Sequence, residues 1–259
     1  MRYAKVADVV AIEELLHRRS DLSTFVVHFT RDGEEASARD NLEAILHSQT
    51  IEARTVYGMA KRLAETNPDV ADSQRTVCFT ETPLEHAWMM CQDIDNRQIR
   101  FNGYGLAFTR TFTRKRGTNP VWYLDITPGH DWLTTPVNEL VQKAVTDATP
   151  PGAPGPATDE LLASPILRLT PFMEQMGTPS GVRKEFWWER EWRHVGHFGF
   201  APQDIVVVFA PEEDHDDLLR TIESWDEYFR VPAIVDARWG LERMIAALAR
   251  VRDKGPFPT

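Results

Sequence analysis

Apolar positions recur at helical spacing over residues 7–18, through Val9, Val10, Ile12, Leu15 and Leu16, and predict a first helix. The pattern then changes period. Residues 25–30 (FVVHFT) are β-branched and aromatic and read as a strand. A polar turn leads to a helix carrying Leu42, Ile45 and Leu46, with Asp40 as its expected N-cap. Residues 51–70 show no clear period. Residues 75–80 (RTVCFT) predict a strand, and 82–92 a helix with Pro83 in its first turn. Two further strands are expected at 104–108 and 121–125, joined as an antiparallel hairpin through the basic turn TRTFTRKRG.

The second half alternates in the same way. Residues 186–199 read as a strand or bulged strand, 204–210 (DIVVVFA) as a buried strand and 213–229 as a helix. Residues 232–236 form a strand, and 239–251 a terminal helix with Leu241, Met244, Ile245, Leu248 and Val251 on one face. Four prolines within 148–158 (ATPPGAPGPAT) exclude helix and inner strand there, so this segment is a loop. Strands and short helices mix without regular βαβ alternation, and neither GxGxxG nor a P-loop occurs. The expected fold class is α+β: one domain over 1–259, with a split mixed sheet and short helices.

Composition narrows the function. The formal net charge of −10 disfavours broad non-specific binding to a phosphate backbone, although Arg110, Arg114, Lys115 and Arg116 make one local basic patch. Two cysteines, Cys78 and Cys91, without CxxC suit a reducing, cytoplasmic compartment. No apolar run is long enough to span a membrane, so no membrane partner is expected.

Candidate chemistry gathers in four places. His28 and Thr30 stand two apart on a strand and offer a ring nitrogen and a hydroxyl to one ligand. Arg54, after the helix, has the fork geometry that suits a phosphate. VCFTETPL at 77–84 and YGLAF at 104–108 are strand segments, the latter with a glycine that permits close approach. In KEFWWEREWRHVG, Glu189 and Glu191 share a strand face among Trp187, Trp188 and Trp192, with Arg190 and Arg193 as charge partners. His194 and His197, three apart beside these carboxylates, offer a weaker metal-binding pattern without a matching second group, and no metal is expected.

The ordered set HFT, NLEAIL, IEAR, VCFTETPL, YGLAF and EREWR resembles the AbiGi-type abortive-infection proteins of phage defence. Its front third is also similar to DarT-like ADP-ribosyltransferases, which open with His-x-Thr and then Asn-Leu-x-x-Ile-Leu. This resemblance implies an ADP-ribosyltransferase-like fold and NAD as substrate, with His28 and Thr30 receiving nicotinamide and ribose. It also implies catalytic roles for Glu191, Glu189 and Arg54. Tyr104, Phe108 and Trp192 are the candidate rings on which nicotinamide and adenine stack. Cleaving the nicotinamide–ribose bond builds positive charge on the sugar, which a carboxylate stabilises. His28, Thr30 and a glutamate are therefore expected to converge on one cleft, and ADP-ribose to pass to a nucleic acid, a nucleotide or a protein. Two alternatives remain open: a non-catalytic antitoxin or sensor paired with a toxin, and a metal-dependent hydrolase or nuclease.

Overall fold

The computed structural model describes residues 19–94, 97, 99–225 and 233–251, and the helix expected over 7–18 lies outside them. The strands are β1 (Phe25–Phe29), β2 (Thr50–Ile51), β3 (Thr55–Val56), β4 (Arg75–Thr80), β5 (Gly105–Thr109), β6 (Asn119–Pro120), β7 (Trp122–Asp125), β8 (Met173–Met176), β9 (Glu191–Val195), β10 (Phe198–Gly199), β11 (Ile205–Phe209) and β12 (Ile234–Val235). The helices are α1 (Ala38–Ser48), α2 (Lys61–Ala64), α3 (Pro68–Gln74), α4 (Arg110–Lys115), α5 (Thr134–Asp147), α6 (Thr158–Ala163), α7 (Pro165–Leu169), α8 (His215–Trp225) and α9 (Leu241–Leu248). The content is mixed α+β, with a mixed sheet and several short helices, as the sequence pattern implies.

Eight strands form the main sheet in the order β12-β11-β5-β1-β4-β9-β6, with β3 also paired to β4. All pairings are antiparallel except β11 with β12. The sheet forks between β1 and β4. They meet at Val27 and Thr80 only, and β3 pairs with β4 at Thr76 and Arg75. At the fork, His28 Nδ1 lies 2.8 Å from the Cys78 carbonyl oxygen, so a side chain takes up an acceptor where the β1–β4 ladder stops.

Alternation along the strands sorts the core into two layers. Val26, Phe79, Leu106, Phe108 and Val208 pack beneath α1 and α8 against Leu42, Leu46, Leu218 and Ile222. Val27, Phe29, Ala107, Val207 and Phe209 pack on the other face with Ala87 and Met90. A satellite cluster of small and aliphatic residues, including Ala64, Val70, Ala144, Leu161 and Leu167, joins α2, α3, α5, α6 and α7.

Several expected elements take other forms. Ser37, not Asp40, is the N-cap of α1; Asp40 closes the capping box by accepting from the Ser37 N–H at 3.0 Å. Residues 84–91 form a 3-10 helix rather than an α-helix. The 104–108/121–125 hairpin does not form. Thr109 Oγ1 accepts from the Phe112 N–H at 3.2 Å, so the basic segment starts α4 instead of a turn. β5 then pairs with β1 and β11, and β7 runs parallel to β8 in a separate two-stranded sheet. The proline-rich loop is closed on itself by the Ala157 N–H to Ala148 carbonyl bond, 2.7 Å. On α9 only Met244 of the expected apolar face is buried; Leu241, Ile245 and Leu248 are exposed.

Candidate functional site

The β4–β9 register sets Glu191 opposite Thr80 and Arg193 opposite Cys78, which puts Glu191, Arg193 and Cys78 on one face. Arg193 is 1% exposed. Its Nε and Nη2 donate to the two oxygens of Glu191 at 2.8 and 3.0 Å, Nη2 also donates to Glu174 at 2.8 Å, and Nη1 donates to the Pro171 carbonyl at 2.9 Å. The guanidinium carbon lies 4.8 Å from the Tyr57 ring centroid, within cation–π range. A buried arginine with a bidentate carboxylate and a second acid is the arrangement that keeps a desolvated charge tolerable.

The surroundings titrate accordingly. Burial pushes the Cys78 thiol well up, and the Glu191 charge adds to this. Burial raises Tyr57 to about 12. Glu174 is also buried, but Arg193 and Lys184 more than offset that and hold its carboxyl below the usual range. Glu189, in the 3-10 turn Trp187–Glu189, is raised to about 7. Burial outweighs the Arg97 guanidinium 3.1 Å away, and the neighbouring Glu191 adds to the rise.

A second carboxylate lies just past the end of β4. Glu81 is 5% exposed and accepts from Arg110 at 2.7 Å, Arg190 at 3.2 Å and the Trp192 indole N–H at 2.8 Å. Glu81 and Glu191, with Tyr123, Trp187, Arg190 and Trp192, border an open cleft of about 200 Å³. The Tyr123 hydroxyl lies 3.5 Å from Glu191.

The residues expected from sequence divide between this cleft and elsewhere. Glu191 and Trp192 border it, and Glu189 sits two residues before Glu191. His28 does not. Its ring packs edge-on to Phe79, 5.9 Å between centroids, on the sheet face opposite Cys78 and Glu191. The Thr30 hydroxyl is buried and donates to the Ala38 and Tyr104 carbonyls at 2.7 and 3.2 Å. The Tyr104 hydroxyl donates to Asp214. Phe108 is fully enclosed among Phe79, Phe112, Phe198 and Phe200, so no ring face is open to a ligand. Arg54 is exposed and paired with Glu52 at 3.0 Å. His28, Thr30 and a glutamate thus do not share one cleft.

His197 Nδ1 accepts from the Ala53 N–H at 3.0 Å. Among the described residues no group of three or more His, Cys, Asp or Glu side chains is placed to hold a metal, and no helix is long and apolar enough to cross a membrane. Glu81, Tyr57, Glu174 and Tyr123 are absent from the sequence-derived set. Glu81 lies inside the quoted motif VCFTETPL, but isolated acids in a strand-to-helix link carry no periodic signal. The two tyrosines and Glu174 join the site only through long-range packing.

A family model described as "Putative abortive phage resistance protein AbiGi, antitoxin" matches residues 43–217, two thirds of the chain. The matched span runs from α1 into α8 and contains both carboxylate networks. No curated protein and no solved structure matches.

Proposed function

Because this chain belongs to the AbiGi family of abortive phage resistance proteins, we propose that it acts in antiphage defence as an antitoxin, holding a toxin partner by surface contact rather than by chemistry at its carboxylates. One observation carries this reading. Glu191, the residue best placed for catalysis by its sequence position, has both oxygens committed to Arg193, which also donates to Glu174 and the Pro171 carbonyl. A carboxylate fixed in this way is a structural anchor. Beside it stands Trp187, more than half exposed, an aromatic side chain of the kind that anchors protein interfaces, and Trp122 on β7 is exposed to a similar degree. Cys78 and Cys91 are free thiols, which supports a cytoplasmic site of action.

The test is growth rescue. Co-expression of this chain with the growth-arresting protein it is paired with should restore growth, and the two should co-purify. Glu191→Gln and Glu189→Gln should retain rescue, while Trp187→Ala should weaken it without loss of fold. Loss of rescue in a folded Glu191→Gln protein would overturn the binding reading.

A second reading is supported by Glu189. A carboxyl that titrates near 7 beside a cleft with aromatic walls has the properties of a general acid or base. In that reading the chain is an NAD-dependent ADP-ribosyltransferase with a DarT-like motif order. Glu191 and Glu189 take the catalytic roles, and the acceptor is a nucleic acid, a nucleotide or a protein. Incubation with labelled NAD, cell extract and purified nucleic acids, followed by mass analysis, separates the readings: an ADP-ribosylated product lost in Glu191→Gln favours transfer.

A further inference from the structure

The far end of β9 borders a larger hollow of about 480 Å³, within the ~300–1,000 Å³ range of small-molecule sites. The end of α4 brings Arg116 to its rim, α7 brings Arg168, and β9 brings His194; Leu167 and Phe172 supply apolar wall. Among the described residues no Asp or Glu lines it. In a chain with 39 acidic against 29 basic residues, a hollow with two arginines and no acid is a local reversal of charge.

The polar groups there are unspent. Among the described residues, neither guanidinium makes an ion pair or a side-chain hydrogen bond. Arg116 is instead stacked 4.8 Å over the Phe112 ring, which restricts its swing and leaves its N–H groups open. His194 Nδ1 is buried with no hydrogen-bond partner. A buried polar atom left unpaired is costly, and such atoms in a native fold mark a place where a ligand or water completes the set. Ser73, by contrast, is satisfied: its hydroxyl donates to the Val70 carbonyl at 2.7 Å and accepts from Gln74 at 3.0 Å.

We propose that this hollow binds a small organic phosphate of the nucleotide class, with the phosphate between Arg116 and Arg168 and the flat, less polar part against Phe172 and Leu167 beside His194. Two guanidiniums recognise phosphate oxygens by paired N–H donation. The volume and the apolar wall exceed what inorganic phosphate needs. The net charge of −10 opposes the approach of an extended polyanion, which favours a mononucleotide over a polynucleotide. The site lies apart from the Glu191 cleft, so it stands whether the chain is an antitoxin or a transferase.

The experiment is calorimetry on the full chain with AMP, GMP, CMP and UMP in turn, and with inorganic phosphate and an oligothymidylate for comparison. At least one mononucleotide should bind in the micromolar range and more tightly than phosphate. Arg116→Ala and Arg168→Ala should each weaken it about tenfold or more, while Arg220→Ala, an exposed arginine on α8, should leave it unchanged. Both rim residues are exposed, and circular dichroism checks that the variants fold. Three results would overturn the proposal. They are no heat with any mononucleotide at millimolar concentration, binding that survives the double arginine variant, and tighter, steeply salt-dependent binding of the oligothymidylate, which would reassign the basic surface to polynucleotide.

Discussion

At the Glu191 end of β9 the Arg193 guanidinium makes four hydrogen bonds to two carboxylates and a carbonyl, whereas at the His194 end the Arg116 and Arg168 side chains make none among the described residues, and His194 Nδ1 has no partner there. One five-residue strand serves both. Along it, pleating sends Glu191 and Arg193 to one face and Trp192 and His194 to the other. Both sides carry arginines and aromatic rings, and the second adds an imidazole. What differs is whether acids were placed in reach. Buried charge that the fold itself satisfies contributes to the specification of the fold; polar capacity left over near a hollow is available to something else. Residue type alone therefore does not separate structural from ligand-binding arginines, and partner counting does.

The comparison breaks most visibly at Arg193. Arg193→Met keeps an apolar stem of similar length but leaves Glu191 without its guanidinium partner and Glu174 with Lys184 alone. The expected loss is ~3–5 kcal/mol of folding stability, read from urea denaturation at neutral pH. A loss below ~1 kcal/mol would mean that water reaches the two acids and that the network is not closed.

Glu189 gives the next effect, through pH. Its carboxyl titrates at about 7 in the fold against an ordinary value of 4.5. Between these values the unfolded chain releases the proton and the folded chain keeps it, so stability is full below pH 4.5 and declines as pH rises through 7. The linked change is up to ~3 kcal/mol. Glu189→Gln removes the titration and should flatten the stability slope between pH 5 and 8, even though Arg97 loses its counter-charge at every pH. An unchanged slope would place the raised group elsewhere.

Much of the main sheet was legible in the chain. β1, β4 and β11 are rich in β-branched and aromatic residues, β5 (GLAFT) is apolar up to Phe108, and the alternation along all four matches the two core layers. The hairpin expectation failed for a local reason. A cap at Thr109 outcompetes a turn, and nothing in the strand pattern of 104–108 and 121–125 reports that each finds a different neighbour. The fork at β1 is invisible in sequence because it depends on β3, two residues long, taking the edge of β4. At the site, Glu191 was legible as an acid among tryptophans, but the strand face expected for Glu189 and Glu191 does not form: Glu189 ends the 3-10 turn Trp187–Glu189, and Arg190 in the left-handed region (φ 49°) separates it from β9. Arg193 was legible as a nearby charge but not as the centre of the network, since Glu174 and Tyr57 reach it from distant segments. Phe108 shows the reverse error: an aromatic in a glycine-containing strand matches a ligand wall and a core residue equally well, and it is core.

At the His194 end the stability effects should be small even where binding effects are large. Arg116→Ala and Arg168→Ala remove exposed side chains that make no ion pair among the described residues and should shift stability by no more than ~0.5 kcal/mol, measured in the same urea series as Arg193→Met. A loss of several kcal/mol would show that these arginines have structural partners.

The finest probe is the imidazole of His194. Burial lowers its proton affinity; the His197 backbone opposes this in part, and the Arg116 charge adds to the lowering. The unfolded chain then binds the proton more readily than the folded one. The group's contribution to stability is present above the ordinary value of 6.5 and is lost as pH falls through the lower, folded value. Titrated by proton NMR at its carbon-bound ring hydrogen, His194 should show a midpoint below 6.5 in the free protein. Arg116→Ala should move that midpoint up, because a repelling cation is gone. A bound nucleotide should move it up as well, because the phosphate brings negative charge beside the ring. These two shifts share a sign but differ in origin, and only the second depends on ligand concentration. A midpoint at or above 6.5 in the free protein would mean that the ring is solvated, and the contrast between the two ends of β9 would then lose its unsatisfied imidazole.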